Sequence, residues 1–227
     1  MIAAEPRRGC EYDESSETGQ QPYFARYKMR ILAVSPSILS ISYTEKRTFS
    51  HEEKPELAGN LPGSDLLCTQ EKYLIRLRTA VITAEVSRET GSIAFYKTNL
   101  TDPDAPGELL FAESEERPHE MEEFSSYRLT DEVREGGTVT TADGTKDVPD
   151  QGARRQVGVL YHVRENFILQ NDEAVYGMGQ MEEPVLNLRG RTVYAHQANR
   201  KIAVPLLISS LGYGVLFDTL SPVVFRD

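Results

Sequence analysis

Apolar and polar residues alternate along much of the chain, a pattern typical of strands that bury one face. Five stretches in the first half show it: residues 26–34, 38–44, 72–78, 80–86 and 92–98. Ser35-Pro36 predicts a turn between the first two stretches, and Glu89-Thr90-Gly91 predicts a hairpin turn between the last two. The pattern therefore predicts antiparallel strands joined by short connections.

The second half continues the pattern. Residues 124–129, 157–163 and 167–169 are predicted to be strands, with glycine turns at 136–137 and 143–144. The acidic run from Glu113 to Glu123, which contains His119, predicts a solvated charged loop. Helical periodicity is almost absent, and strands recur about every 8 to 12 residues. We therefore expect an all-β fold, an antiparallel β-sandwich with little helix.

Two regions differ in composition. Residues 1–24 are polar and acidic, rich in Ser, Glu, Gln and Gly, and predict a mobile arm with too little apolar surface to order itself. Residues 25–227 carry the strand pattern without an internal repeat and predict one β-sandwich domain. A chain of 227 residues is long enough to bury a sizeable core.

Charge and hydropathy exclude several classes of partner. Acidic residues outnumber basic ones, 35 to 25, and the formal net charge of −10 repels phosphate backbones and anionic membranes. The most apolar run, residues 202–217, is broken by Pro205, Gly212 and Gly214, so it predicts two buried strands rather than a membrane span. No apolar run of signal-peptide length opens the sequence, which favours a cytoplasmic protein. We expect neither a nucleic acid nor a membrane as partner.

The two cysteines do not suggest a metal site. Cys10 and Cys68 lack metal-ligand spacing, and two cysteines are too few for a structural zinc site. A single disulfide and two thiols both fit the sequence, and the lack of an export signal favours thiols. We expect no metal and no cofactor.

The most specific local motif is Tyr-Gly-Met-Gly-Gln at 176–180, an aromatic residue followed by two glycines one residue apart. Glycine accepts positive φ and close backbone approach, so the pair predicts a bulge or tight crossing at a strand end. The motif lacks the third glycine and the following helix of a dinucleotide-binding loop, which excludes that function.

Three further motifs follow in order: Asn-Leu-Arg-Gly at 187–190, His-Gln-Ala-Asn at 196–199, and the apolar hairpin at 204–218. Together with residues 176–180, this order resembles the end of the N-terminal β-sandwich domain of family 31 glycoside hydrolases, the α-glucosidase and α-xylosidase family. The resemblance implies a mutarotase-like sandwich. It covers about the last quarter of the chain, with weaker similarity through the β-rich middle.

The sequence departs from the family pattern at two places. Many α-glucosidases of the family carry an Asp that reaches toward the sugar where this chain has Gln197-Ala198-Asn199. Gln180 stands in place of the commoner Glu. An amide donates and accepts hydrogen bonds without charge. Both departures resemble the α-xylosidase-type and transglucosylase branches.

The resemblance implies a non-catalytic role for this chain. In the family both catalytic aspartates come from a (β/α)8 barrel that follows the sandwich, and no such pattern is present in these residues. The sandwich packs on the barrel and lends a loop to the mouth of the active site, so the carbohydrate substrate belongs to the full enzyme. Gln180, Gln197 and Asn199 are the candidates for that mouth. The alternative is that their side chains form hydrogen bonds with the backbone of their own turns.

Three residues are candidates for the contact with the barrel: Tyr176, Met178 and Arg189. Arg189 could instead fix its own loop. Because the isolated domain would leave this surface bare, the resemblance also predicts self-association through a patch near Tyr176, Met178 and Met181. His196 is more often a packed polar residue than a general base, since no second His or partner acid lies near it in sequence.

Two other functions fit a β-sandwich. A free-standing carbohydrate-binding module usually displays tryptophans, and this chain has none, although its 11 tyrosines could substitute. An aldose mutarotase or epimerase uses two histidines with a carboxylate. The motifs of those enzymes are not found around the four histidines of this chain, which are His51, His119, His162 and His196.

Overall fold

The computed structural model describes residues 9–12, 28–44, 49, 64–102, 105–129, 137–148, 154–182 and 185–227. Within this part of the chain there are strands and no helix, and no helix is therefore present that could cross a membrane. All strand pairs are antiparallel. The prediction of an all-β antiparallel fold is confirmed.

The strands are, in chain order, β1 (Gly9–Tyr12), β2 (Lys28–Ser35), β3 (Ile38–Thr44), β4 (Leu67–Gln70), β5 (Leu74–Arg78), β6 (Ile82–Ser87), β7 (Ile93–Lys97), β8 (Leu109–Glu113), β9 (His119–Leu129), β10 (Gly137–Thr141), β11 (Gly144–Val148), β12 (Arg154–Glu165), β13 (Phe167–Ile168), β14 (Val175–Gln180), β15 (Thr192–Ala195), β16 (Ile202–Ser209), β17 (Gly214–Leu216) and β18 (Val223–Arg226). They lie in two compact units. Unit 1 combines the described residues of 1–118 and 167–227, and unit 2 is 119–166.

Unit 1 contains four sheets. The strand orders are β1-β2-β3, β13-β8-β7-β6-β5-β4, β14-β16-β17 and β15-β18. The first two pack together through one apolar cluster of residues from β2, β5, β6, β7 and β8: Met29, Ile31, Ile75, Leu77, Ala84, Val86, Ile93, Phe95, Leu110 and Phe111. In β2, β5, β6 and β7 the period of two places every second side chain in this core. In β8 a register shift in the pairing with β7 brings two consecutive side chains, Leu110 and Phe111, into it.

A second core lies between the other two sheets of unit 1. Its buried members are Val175 and Met178 from β14, Leu207 from β16, Ala195 from β15, and Leu188 from the connecting loop. Val193 and Phe225, which pair across β15 and β18, pack against them. This second core supports the candidate site described below.

Unit 2 is built from two hairpins. β9 and β12 pair along their whole length, with a bulge between Gln156 and Gly158. β10 and β11 form the hairpin predicted at Asp143-Gly144. At the start of the long ribbon the buried His119 ring contacts the Glu165 carboxylate through Nδ1.

Two expectations from the sequence need correction. The acidic run is not a loop throughout, because Glu113 is the buried last residue of β8 and accepts a hydrogen bond from the Ile93 N–H, and β9 begins at His119. The run 202–217 does form two strands, but the outward side chains of β16 are exposed rather than buried. Of the arm expected at 1–24, the structure describes β1 alone, paired with β2; the rest lies outside the described residues.

Candidate functional site

β14 contains the bulge that the glycine pair predicts. The pairing with β16 shifts register between Gly177 and Gly179, and both glycines have positive φ, 118° and 96°. A Cβ on Gly177 would lie 2.1 Å from the Leu206 carbonyl oxygen, and one on Gly179 would lie 2.0 Å from that of Ile202. No other residue fits so close to β16. Met178 lies between the two glycines and also has a positive φ, 63°. Its side chain is fully buried in the second core.

The residue after the bulge, Gln180, closes the ladder opposite Ile202. Gln197 lies at the same end, where its side-chain amide mimics a strand. Its Nε2 donates to the Ala203 carbonyl (3.2 Å) and its Oε1 accepts from the Ala203 N–H (3.3 Å). Both hydrogen-bonding ends of the Gln197 amide are therefore committed to the backbone of β16.

A tight turn joins Gln197 to β16. Ala198 and Lys201 form an isolated bridge, with the Lys201 N–H donating to the Ala198 carbonyl at 3.2 Å. Arg200 takes a φ of 64°, which is uncommon outside glycine. Asn199 lies at the tip of this turn with its side chain exposed.

The structure thus brings Gln180, Gln197 and Asn199 to one end of β16. An exposed ion pair, with Arg200 Nη1 and Glu182 Oε1 3.9 Å apart, joins the connection before β16 to the connection after β14. We name this region, residues 180–182 and 196–201, the amide end. Of its three candidate amides, those of Gln180 and Asn199 face solvent, whereas that of Gln197 holds the turn.

Arg189 fixes its own loop, which is the alternative left open by the sequence. Its Nη1 donates to the carbonyls of Gln170 (2.7 Å) and Glu173 (2.8 Å), and its Nε donates to Asp227 Oδ2 at 2.9 Å. Asn187 Oδ1 accepts the N–H groups of Val175 and Arg189. The Asn-Leu-Arg-Gly motif therefore folds the loop between β14 and β15, and a contact of Arg189 with the barrel stays a prediction.

The other two interface candidates differ from each other. The Tyr176 side chain is half-buried and lies opposite Ile208 on the outward face of β14 and β16. Met178 is 0% exposed within the second core, because the bulge turns it inward. Its side chain cannot reach another domain, so the expectation for Met178 is corrected to a core role.

A buried carboxylate supports this region and was not singled out from the sequence. Glu173 accepts hydrogen bonds from the hydroxyls of Ser209 and Tyr213 and from the Gln170 N–H. The Tyr213 ring also stacks on Phe111, with centroids 4.5 Å apart. Burial and the Glu173 hydrogen bond raise the pKa of Tyr213 well above its ordinary value. Ser209 and Tyr213 both lie in the motif at 204–218, which was the available signal.

Among the described residues of the amide end, Glu182 carries the one carboxylate. A retaining glycosidase needs two carboxyl groups about 5 Å apart facing the sugar. Glu173 faces the interior with its oxygens occupied, and Glu182 pairs with Arg200. Among the described residues no group of three or more His, Cys, Asp or Glu side chains could hold a metal ion.

The two described histidines of unit 2 do not converge. The β9–β12 register places His119 and His162 on opposite faces of the ribbon, and the His162 ring lies against Phe124. His119 and His162 therefore do not form the histidine pair of a mutarotase. In unit 1, His196 is exposed just after β15, and His51 lies outside the described residues.

Comparison with known proteins identifies the domain. Residues 28–225 match the family described as the glycosyl hydrolase 31 N-terminal galactose mutarotase-like domain. The chain belongs to this family. The GH31 N-terminal domain thus includes both cores and the amide end, and the resemblance drawn from the four motifs is confirmed.

Similar proteins agree with this assignment. The chain is 30% identical over 144 residues to an uncharacterized family 31 glucosidase of Pseudescherichia vulneris, covering 63% of the chain and 24% of that protein. It is 28% identical over 113 residues to an α-xylosidase of Saccharolobus solfataricus, covering 43% and 16%. The crystal structure of a GH31 α-xylosidase from Xanthomonas citri shares the fold, with a TM-score of 0.59 and 20% identity over 98% of the chain and 19% of that structure.

The chain therefore spans about a quarter or less of the length of these relatives. The matched part is the N-terminal domain of longer glycosidases.

Proposed function

We propose that this chain is the accessory N-terminal domain of a family 31 glycoside hydrolase that acts on α-glucosides or α-xylosides. In this proposal the domain packs on a catalytic (β/α)8 barrel and lends the amide end to the mouth of the active site. The family match over residues 28–225, together with alignments that cover 24% and 16% of two related glycosidases, carries the proposal.

The geometry of the amide end supports a contact with sugar. Each amide both donates and accepts, which suits the hydroxyls of a pyranose. Asn199 is the stronger candidate because it stands at the tip of a turn whose backbone Gln197 and the Ala198–Lys201 bridge already hold. Gln180 lies beside it at the last pair of the ladder. Gln197 acts as a positioning residue for Asn199.

The test is a domain exchange in which this chain replaces the matched domain of the Pseudescherichia vulneris relative. We expect activity on p-nitrophenyl α-D-glucoside or α-D-xyloside that the relative's remaining residues alone do not show. Asn199→Ala and Gln180→Ala should then raise KM by about three- to tenfold, the value of one or two hydrogen bonds. Asn171→Ala, an exposed turn amide in the β13–β14 connection, is the matched control and should leave KM unchanged.

Equal activity with and without this chain would contradict the proposal. Unchanged KM in both amide variants would remove the amide end from the substrate path while leaving the accessory role intact.

The structure gives little support to the function of a free-standing carbohydrate-binding module. Among the described residues, the exposed tyrosines are Tyr73 in the turn before β5, Tyr127 on β9, Tyr161 on β12 and Tyr194 on β15. Of these, Tyr127 and Tyr161 share one face of the β9–β12 ribbon, but the register places Tyr161 opposite Glu123, four residues from Tyr127, so the two rings are not adjacent. Calorimetric titration of the chain with isomaltose and with xylosides tests this function, and dissociation constants below millimolar would favour it.

A further inference from the structure

One face of unit 1 is apolar and uncovered. The outward positions of the β14-β16-β17 sheet follow from its register: Tyr176 lies opposite Ile208, Gln180 opposite Ile202, and Leu206 opposite Leu216. Val204 shares this face, since side chains two residues apart point the same way. None of these positions is charged, although 26% of the chain is.

The exposure of this face is high for apolar side chains. Ile202 is 56% exposed, Val204 43%, Ile208 50% and Leu216 47%. On the opposite side of the same strand, Leu207 is buried in the second core. A strand that is apolar on both faces is typical of one that is covered on both faces. Contiguous apolar surface of this kind marks an interaction site.

The outer face of the six-stranded sheet shows the contrast. Its outward positions include Arg76 and Glu85, which pair across β5 and β6 with Nε and Oε1 2.8 Å apart. Charged residues in this register are typical of a solvated sheet face. The same unit therefore carries one sheet face suited to water and one that is not.

We infer that the catalytic domain packs against the outward face of β14, β16 and β17. The inference rests on the proposed function and adds the surface to it. We name this surface the apolar seat: Tyr176, Ile202, Val204, Leu206, Ile208 and Leu216.

Three observations favour the catalytic domain as its occupant. In the similar glycosidases and solved structures most of the polypeptide, about three quarters or more, lies outside the matched domain. A domain joined to this one in a single chain has a high effective concentration at its surface. The seat also ends at the Gln180–Ile202 pair, so a domain bound there borders the amide end.

Net charge disfavours a second copy as the occupant, because each copy carries −10. Self-association of the isolated chain through a patch near Tyr176, Met178 and Met181 stays a prediction, although Met178 itself is buried.

Thiol labelling in the domain-exchange protein tests the seat. Cys10→Ser and Cys68→Ala remove the native thiols, and Ile208→Cys then places one thiol on the seat. Tyr194→Cys is the matched control, on an exposed outward position of β15 outside the seat. The labelling rate with a maleimide is compared between the exchange protein and the isolated chain, the latter at a concentration where it elutes as a monomer.

We expect labelling of Ile208→Cys to slow by at least tenfold in the exchange protein, and by at least five times more than labelling of Tyr194→Cys. A smaller ratio overturns the seat. If the exchange protein is active but the ratio is small, the accessory role stands and the seat is wrong; if it is inactive and neither thiol is protected, both fail. The same exchange in the Saccharolobus solfataricus α-xylosidase serves as the second host should the first not fold.

Discussion

The Tyr213 hydroxyl donates a hydrogen bond to the buried carboxylate of Glu173, 40 residues earlier in the chain. The contact joins the start of β14 to the β16–β17 turn, and the stacking of Tyr213 on Phe111 extends the connection to the six-stranded sheet. Tyr213 therefore connects the residues just before β14 to the first core.

Tyr213→Phe should destabilise the domain by about 2 kcal/mol, since hydrogen bonds to charged groups contribute about 1.5–3 kcal/mol. The aromatic stacking is retained in this variant, so the loss reports the hydroxyl alone. For a chain of this size the melting temperature should fall by about 4–8 °C. Urea unfolding measures the difference. Tyr176→Phe, on the outward face of β14, is the control; an equal loss in both variants would refute a special role for Tyr213.

Gly179→Ala should disrupt the pairing of β14 with β16. The added Cβ would meet the Ile202 carbonyl oxygen at 2.0 Å and the Val204 nitrogen at 2.7 Å, so backbone must move. Gly212→Ala is the matched control because Gly212 has a similar φ, 84° against 96°, but open space around its Cβ. We expect about 1–2 kcal/mol of strain at Gly212 and at least about 2 kcal/mol more at Gly179. Thermal and urea unfolding check this; similar losses at both positions would be inconsistent with the close approach.

Gln197→Ala and Asn199→Ala should separate stability from function. Removing the Gln197 amide leaves the Ala203 N–H and carbonyl without their partners and should cost about 1–2 kcal/mol of folding stability. Asn199→Ala at the exposed turn tip should change stability by less than about 0.5 kcal/mol. The melting temperatures of the two variants of the isolated chain, compared with that of the unaltered chain, measure the two losses of stability. A larger loss at Asn199 than at Gln197 would mean that Asn199 holds the turn.

Asp227 should contribute stability that disappears in acid. The Gly190 N–H, with the Arg189 guanidinium, lowers the pKa of Asp227 from its ordinary value of 3.8. A pKa that is lower in the folded state than in the unfolded state means that the ionised carboxylate stabilises the fold. This contribution is complete above the unfolded pKa and is lost as the pH falls through the folded one.

We therefore expect Asp227→Asn to cost about 1 kcal/mol at pH 7, a value kept small by the partial exposure of the pair. The difference from the unaltered chain should shrink as the pH falls below the ordinary aspartate pKa of 3.8 and through the lower pKa of the folded state. Urea unfolding at pH 7, 5 and 3 measures it, with Asp172→Asn, an exposed turn aspartate, as the control. A difference that stays constant with pH would contradict the ion pair.

Local patterns in the sequence predicted much of this fold. Alternation at 26–34 and 38–44 indicated β2 and β3, because one buried face imposes a period of two. The turn predicted at Ser35-Pro36 lies one residue later, at 36–37. The glycine pair predicted the bulge in β14 because positive φ and close approach are properties of glycine itself.

Contacts between distant residues could not be predicted in this way. Glu173 and Tyr213 are 40 residues apart, and His119 and Glu165 are 46 apart. The charged composition of residues 113–123 predicted a solvated loop, but Glu113 and His119 are buried. Their hydrogen-bond partners lie elsewhere in the chain. Arg189 was considered for an interface because its three hydrogen-bond acceptors are distant in sequence and become its neighbours only in the folded chain.

The sequence motifs selected residues that the structure places at one end of one strand. Gln180, Gln197 and Asn199 lie at the start of β16, and their contact with a substrate stays a prediction. Sequence alone could not distinguish the occupied amide of Gln197 from the solvent-facing one of Asn199, because the difference depends on the register of β16.

Turnover by the isolated 227-residue chain tests the accessory role most directly. We predict no hydrolysis of p-nitrophenyl α-D-glucoside or α-D-xyloside above the uncatalysed rate, because the chain matches the N-terminal domain of longer glycosidases and covers 24% and 16% of two of them. Hydrolysis that elutes with the purified chain and follows its concentration would contradict the accessory role.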